Sequence, residues 1–236
     1  MAKRLFDILF SGLALIFSAP LWVLAAIGIV ISSPGPILYH ATRIGRGGKP
    51  FRMVKFRTMT VGTAGQSEIT SPGDSRIFPF GRTIRLLKID ELPQLLNILR
   101  GEMSIVGPRP ESDIIVATHY SGWMRETLRV APGLTSVGAL FGYSYGEELI
   151  DPLRPEESYV ERVLPAKLAL ERAYLERANI LSDIACILRT AAAILIVPFG
   201  LKLAPARTDQ RTAQRWVEAA VFPVAMSSQL KSFTRD

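Results

Sequence analysis

From Ile8 to Ile31 the chain runs 24 residues without a charge, which predicts a helical segment, and Ser33-Pro34-Gly35-Pro36 stops it. Ile37-Leu38-Tyr39 reads as a short strand. Phe51 to Met59 alternates apolar and polar side chains over much of its length, the period of a strand. That period sets Arg52 and Lys55 on opposite faces, and Lys55 and Arg57 on the same one. Thr60 to Gly73 is rich in Gly, Ser and Thr and reads as a mobile surface loop. Phe80-Gly81 breaks the chain before a short basic helical segment, Arg82 to Lys88. Asp90 to Gly101 reads as a compact helix: Asp90 caps it, Pro93 sits in the first turn where a missing donor does no harm, and Gly101 closes it. Val163 to Val197 reads as helix, with Leu164, Leu168, Leu175, Ile184, Ile187 and Leu188 on one face. Beyond Lys202 no usable pattern remains, and part of that tail is expected to be disordered.

The N-terminal apolar run is long enough for a membrane. A straight helix of this length extends about 36 Å, against a hydrocarbon core of about 30 Å. Pro20 stands in its middle, removing a donor and clashing with the carbonyl at Ile16, so each arm is about 18 Å and too short to cross alone. Ser18 can bond a carbonyl in the preceding turn and ease the break. Basic residues lie on both flanks, which places both flanks on the cytoplasmic side. A re-entrant hairpin satisfies both observations, with a kinked crossing helix as the alternative. At the other end, Arg189 and Pro198 leave Ala191 to Val197 too short to cross, so it is expected at the membrane interface or on the core.

Composition agrees with an apolar segment joined to a charged body: 48% of residues are hydrophobic and 21% charged, and the mean hydropathy is positive. The net charge of +7 is uneven. Lys3, Arg4, Arg43, Arg46, Lys49, Arg52, Lys55 and Arg57 stand against Asp7 alone before residue 60, and the remainder is neutral. A nucleic-acid binder would not concentrate its excess in this way. The glycine-rich basic turn from Arg43 to Lys49 suits phosphates or anionic headgroups, and equally an ordinary hairpin. The one cysteine, Cys186, excludes an internal disulfide and fits a reducing compartment.

Asp90 and Glu91 put two adjacent carboxylates at a helix start, where the positive end of the helix favours their ionised form. An ionised carboxylate holds Mg²⁺ or attacks phosphorus, although a capping Asp followed by Glu also opens many helices with no chemistry. Pro108 and Pro110 hold Arg109 on a stiff loop. A guanidinium so placed loses little entropy in forking onto a phosphate, and a rigid surface loop is the alternative. His40 and His119 lack metal-ligand company in the sequence and read as structural.

These stretches together resemble the bacterial sugar transferase family, the catalytic core of the monotopic phosphoglycosyl transferases. The resemblance rests on Lys3 to Asp7, Ser33 to Pro36, Lys55 to Met59, Ile89 to Gln94, Ser104 to Glu111, Ala131 to Thr135 and Asp183 to Thr190. They occur in family order over roughly residues 3 to 195, without the four-helix N-terminal extension of some relatives, so the minimal form is expected. The resemblance implies a nucleotide-diphosphate sugar as donor, expected to be a UDP-sugar, and polyprenol phosphate as acceptor. It implies Asp90 as the nucleophile that forms a phosphosugar-aspartyl intermediate, and release of the nucleoside monophosphate. Glu91 would bind Mg²⁺ or position a proton acceptor, with Asp90 also near the metal. Lys55, Arg85 and Arg109 would be the main phosphate cations, with Arg57, Arg125 and Arg129 as further contacts. Ala19 stands where the family usually has Ser before the breaking proline. Ser136 to Pro155 replaces a usual short aromatic and glycine segment, and its Phe141, Tyr143 and Tyr145 either line a substrate site or pack under a loop.

The expected fold is a mostly helical α/β body with little sheet: a re-entrant hairpin over 1–36, a catalytic domain with interfacial amphipathic helices over 37–200, and a tail over 201–236. The expected setting is the cytoplasmic face of a bacterial inner membrane, with membrane lipids as partners, no nucleic acid, and a homo-oligomer left open. The expected role is to initiate assembly of an exopolysaccharide, capsule, O-antigen or glycoprotein glycan. A glycosyltransferase using the same donor would release a nucleoside diphosphate instead, and a membrane scaffold would have no use for Asp90 beside Arg109.

Overall fold

The computed structural model describes residues 2–62, 69–71, 73–218 and 222. It is mostly helical with little sheet and divides into two units, one of Met1–Ser67, Gly73–Thr118 and Leu128–Leu134, the other of Glu68–Pro72, His119–Thr127 and Thr135–Asp236.

The first unit opens with α1, Ala2–Ser32, helical through Pro20. Its buried residues, Asp7, Ser11, Ser18, Ala25 and Ile29, recur at spacings that keep them on one face. The other faces expose Leu13, Ile16, Phe17, Leu24 and Ile31, large apolar side chains that water does not favour. Ser18 Oγ donates to the Leu15 carbonyl at 3.4 Å, the bond to the preceding turn expected beside the proline. Both ends of α1 are fastened. Arg4 donates to the carbonyls of Ile98 and Leu99, at 2.5 and 2.8 Å, and Asp7 Oδ1 accepts from Ser104 Oγ and Ile105 N–H, both at 3.0 Å. At the other end Ala25 and Ile29 join Phe56, Phe78 and Ile84 in a buried core.

β1 (Leu38–Ile44) and β2 (Pro50–Phe56) pair antiparallel with Leu38 opposite Phe56. A short 3-10 turn over Arg46–Gly48 connects them, with Gly47 and Gly48 at positive φ. The basic glycine-rich segment is thus a hairpin connection. Half of the loop expected over 60–73 lies outside the described residues. α2 spans Pro79–Leu86, so the break expected at Phe80-Gly81 does not occur. Gly81 is instead inside the helix, where a Cβ would collide with the Thr58 carbonyl. α3 (Gln94–Arg100) ends at Gly101, which takes the expected left-handed conformation with φ 86°. The short strands β3 (Ser104–Val106) and β4 (Gly133–Thr135) pair as a second sheet, and α4 (Asp113–His119) lies between them in sequence.

In the second unit α5 is Gly122–Arg125, and α6 (Val137–Phe141) runs through a π-helical stretch into α7, Glu147–Leu149. α8 is Pro155–Ser158, and α9 is Leu164–Leu175. α6 packs so closely on α9 that a Cβ at Gly138 would lie 2.8 Å from the Lys167 carbonyl. Phe141 and Tyr145 stack at 6.0 Å and are fully buried, so these two aromatics are core. The helix expected over Val163–Val197 is two helices. The chain leaves α9 at Glu176, and Asn179 takes an extended conformation that starts α10, Ile180–Ile196, through a reciprocal cap with Ser182. α10 buries Asp183 against the Tyr174 hydroxyl at 2.5 Å, and Arg189 donates to the Ala204 carbonyl. Its apolar side chains at Leu181, Leu188 and Leu195 are exposed. By length and composition Ala2–Ser32 and Ile180–Phe199 each suffice to cross a membrane. Residues 207–213, part of the expected tail, form α11 (Arg207–Ala213), whose fully buried Asp209 takes a two-pronged bond from Arg177 at 2.6 Å.

Candidate active site

The acidic pair lies in the first unit, in a 3-10 turn over Ile89–Glu91 that precedes α3. Asp90 is not the cap of that turn. Lys88 holds the position, at φ 57° and ψ 17°, and its carbonyl accepts from Glu91 N–H at 3.2 Å. Lys88 is the only non-glycine with positive φ among the described residues, a conformation of appreciable strain for a side chain of this type. It lets the chain reverse between α2 and the acidic turn. Asp90 is therefore released from capping, and both carboxylates are buried, at 6% and 7% exposure.

Glu91 gathers the cations. Arg109 forks onto it, with distances of 2.8 Å to Oε1 and 3.3 Å to Oε2. Lys88 Nζ and Lys55 Nζ lie 3.7 and 3.8 Å from Oε1. Burial acts to raise the acid's pKa, but Arg109, Lys88 and Lys55 overcome it and hold Glu91 well below the usual carboxylate range. Asp90 goes the other way. Burial and the neighbouring Glu91 charge push its pKa up, and its Oδ1 is buried with no hydrogen-bond partner among the described residues. Gln94, 1% exposed, has an equally unpartnered Nε2. Burial draws Lys55 down to about 8, against the opposing pull of Glu91.

Each member is held by its own element. Asn97, fully buried on α3, grips β2 on both sides of Met53: its Oδ1 accepts from Val54 N–H at 3.0 Å and its Nδ2 donates to the Arg52 carbonyl at 2.8 Å. That fastens Lys55 relative to the acidic turn. The Arg109 loop is tied by Gly133 N–H to the Pro108 carbonyl at 2.9 Å and by Ile44 N–H to the Glu111 carbonyl at 2.9 Å. Gly107 must be glycine, since a Cβ there would lie 2.5 Å from the Ala131 carbonyl. Arg85 reaches Thr58 Oγ1 at 3.4 Å and adds to the positive field at Asp90.

The structure thus brings together Asp90, Glu91, Lys55, Arg85 and Arg109 of the residues singled out in the sequence. Arg57 is used differently. Its guanidinium donates to the Pro36 carbonyl at 2.6 Å, Ser33 Oγ at 2.8 Å, and the Met59 and Ser33 carbonyls, so it fastens the turn that leaves α1. Arg125 and Arg129 are both exposed, the first closing α5 and the second in the turn after it. Lys88 and Asn97 were not anticipated. Lys88's proximity to the acidic pair was visible in the sequence, but its left-handed backbone was not, and nothing local marks Asn97 as a tie to a strand.

Asp90 and Glu91 also suit a divalent cation, since Mg²⁺ prefers one or two carboxylates and completes its shell with substrate phosphates and water. Asp90 Oδ1 is an acceptor without a partner, as such a site requires. No group of three or more His, Cys, Asp and Glu occurs among the described residues, so any cation held here would draw on the substrate for further ligands.

The model of the bacterial sugar transferase family matches residues 1–196. The UDP-glucose:undecaprenyl-phosphate glucose-1-phosphate transferase of Caulobacter vibrioides is 36% identical over 199 residues, which are 83% of this chain and 70% of that protein. The enzyme of the same name from Xanthomonas campestris pv. campestris is 36% identical over 202 residues, and the match covers 39% of its length. The exopolysaccharide production protein ExoY of Sinorhizobium fredii is 35% identical over 214 residues, 83% of this chain and 86% of its own. With a family match across residues 1–196 and relatives 35–36% identical over most of its length, the chain belongs to the bacterial sugar transferases.

Proposed function

We propose that the protein is a phosphoglycosyl transferase that moves a phosphosugar from a nucleotide-diphosphate sugar, a UDP-sugar, to polyprenol phosphate, beginning the assembly of a surface glycan. The relatives support the substrate class, since the names of two of them specify UDP-glucose and undecaprenyl phosphate. The observation that carries the mechanism is the unequal treatment of two adjacent carboxylates. Glu91 is occupied by three cations, whereas Asp90 keeps one oxygen unpartnered in a site surrounded by positive charge.

Asp90 is accordingly the nucleophile. One of its carboxylate oxygens attacks the sugar-bearing phosphorus, the bond from that phosphorus to the bridging oxygen breaks, and the nucleoside monophosphate leaves with the electron pair. A phosphate oxygen of the polyprenol phosphate then attacks the same phosphorus and returns Asp90 to its carboxylate. Lys55, Lys88 and Arg85 offset the repulsion between an anionic nucleophile and an anionic diphosphate. Glu91 holds Arg109 beside the reacting groups. A Mg²⁺ ion held by Asp90 and Glu91 would neutralise charge on the diphosphate and its leaving group.

Membrane attachment follows from α1. A helix crossing the bilayer would carry Arg4 and Asp7 to the far side, yet both bond to the same unit that receives Ala25 and Ile29. A re-entrant α1 with both ends at the cytoplasmic face is the reading this supports.

The test is to incubate the wild-type protein with UDP-sugar and Mg²⁺ but no polyprenol phosphate, and to map adducts by mass spectrometry. The expected outcome is one phosphosugar on the Asp90 peptide, discharged on adding the lipid phosphate, with no adduct and no turnover in Asp90→Asn. Turnover lost in the variant without any adduct in the wild type would make Asp90 a metal ligand and the lipid the direct attacker. Release of nucleoside diphosphate would indicate a glycosyltransferase.

A further inference from the structure

In the second unit a cavity of about 300 Å³ is lined by Arg189, Lys202, Pro205, Arg207 and Gln210 among others. Three of these residues are cations, which favour an anion. Lys202 pairs with Glu148 at 2.5 Å and lies over the Tyr145 ring. Two of the lining residues each have a polar atom buried without a partner among the described residues, and the two atoms differ in kind. Arg189 gives one guanidinium nitrogen to the Ala204 carbonyl but leaves Nε, a donor, unused. Gln210, 3% exposed, gives Nε2 to the Pro205 carbonyl at 2.7 Å and leaves Oε1, an acceptor, unused. A buried polar group without a partner costs about 1–3 kcal/mol, and most such groups in native structures are satisfied. One ligand that meets both atoms must offer an acceptor to Arg189 and a donor to Gln210. An anionic phosphate ester with a hydroxyl does so.

The surroundings select among such esters. Arg189 is on α10, which continues to Leu195 and, beyond its end, to Phe199 and Leu201; these side chains are 69%, 83% and 59% exposed. A wholly polar ligand would leave them in water. A phospholipid places its acyl chains along them. With about 30 Å³ per water molecule, the cavity has room for about ten waters, enough for a phosphoglycerol headgroup and too little for the acyl chains. We infer that this cavity binds the headgroup of an anionic membrane glycerophospholipid, phosphatidylglycerol being the type that fits. The phosphate faces Arg189, Lys202 and Arg207, and a glycerol hydroxyl donates to Gln210 Oε1. The site is a specific lipid contact of the second unit, independent of the reaction proposed for the acidic turn of the first.

The full chain, stripped of lipid in detergent, is titrated with short-chain phosphatidylglycerol and followed by native mass spectrometry. Phosphatidylcholine of the same chain length, glycerol 3-phosphate and inorganic phosphate serve as comparison probes. One phosphatidylglycerol per chain is expected, with phosphatidylcholine about tenfold weaker because its headgroup has no donor for Gln210, the scale of one hydrogen bond. Arg207→Gln, at an exposed position, and Gln210→Leu should each weaken phosphatidylglycerol about tenfold by the same reasoning. Equal binding of phosphatidylglycerol by wild type and both variants, or equal binding of the two lipids, would overturn the inference. Glycerol 3-phosphate or inorganic phosphate binding as tightly as the lipid would make this a site for free phosphate instead.

Discussion

Asp90 and Glu91 stand one residue apart under the same burial, and what separates them is who answers each carboxylate. Glu91 has Arg109, Lys88 and Lys55; Asp90 has one oxygen with no partner among the described residues. A buried group whose pKa is raised is less stable ionised than neutral, so stability linked to Asp90 is present at low pH and lost as pH rises through its elevated value. Asp90→Asn, permanently neutral, should therefore raise the melting temperature of the ligand-free protein at neutral pH, by about 2–4 °C for each kcal/mol relieved. Thermal unfolding of the two proteins side by side checks this, and a lower value would show that the ionised carboxylate has a partner. Lys55 sets the opposite limit. Its ammonium is charged below about 8 and is lost as pH climbs through that value. If that charge screens the donor diphosphate, turnover should fall on the alkaline side near pH 8, and Lys55→Arg, charged throughout, should remove that fall. A rate profile unchanged by the substitution would take Lys55 out of the reaction.

At the scale of elements, α1 does two jobs that its apolar sequence does not separate. Its exposed faces are suited to lipid, while its buried stripe and two ends pack within the first unit. The basic N-terminal residues, legible as membrane-orienting charge, turn out to include Arg4, which answers the last carbonyls of α3, and Asp7, which answers the first groups of β3. Arg57 fastens the exit of the same helix. These ties predict that tags at the N-terminus and after residue 60 are accessible from the cytoplasmic side alone. Labelling of the N-terminal tag from the opposite side would refute a re-entrant α1. Pro20→Leu removes a helix penalty of about 3 kcal/mol and should shift a fraction of molecules toward that crossing orientation. β2 was legible from alternation, β1 from a short apolar run, and α3 from an early proline and a closing glycine, whereas the three-residue strands β3 and β4 were not. The break between α9 and α10 was not, because the apolar positions continue on both sides of Asn179 and only the reciprocal cap with Ser182 stops the first helix from running on.

At the scale of the whole chain, residues past 201 carry no period and resemble a tail, yet α11 buries Asp209, Gln210 and Ala213 against α9. Seven residues make two turns, too few to announce themselves, and their order comes from the Arg177–Asp209 pair rather than from propensity. The sequence by itself determined the apolar N-terminal helix, the strands β1 and β2, the adjacent acidic pair, the proline-held arginine and the family, because each depends on residues close together along the chain. Hydrophobic period, turn chemistry and fixed backbone torsions act over a few residues and leave a readable trace. Tertiary structure alone decided which carboxylate would be paired, which arginine would bind backbone carbonyls, and that Asn97 would tie a helix to a strand 43 residues away. Those outcomes follow from partners brought together across long sequence separations, where burial strengthens every charge and hydrogen bond, and no local pattern records which groups will meet.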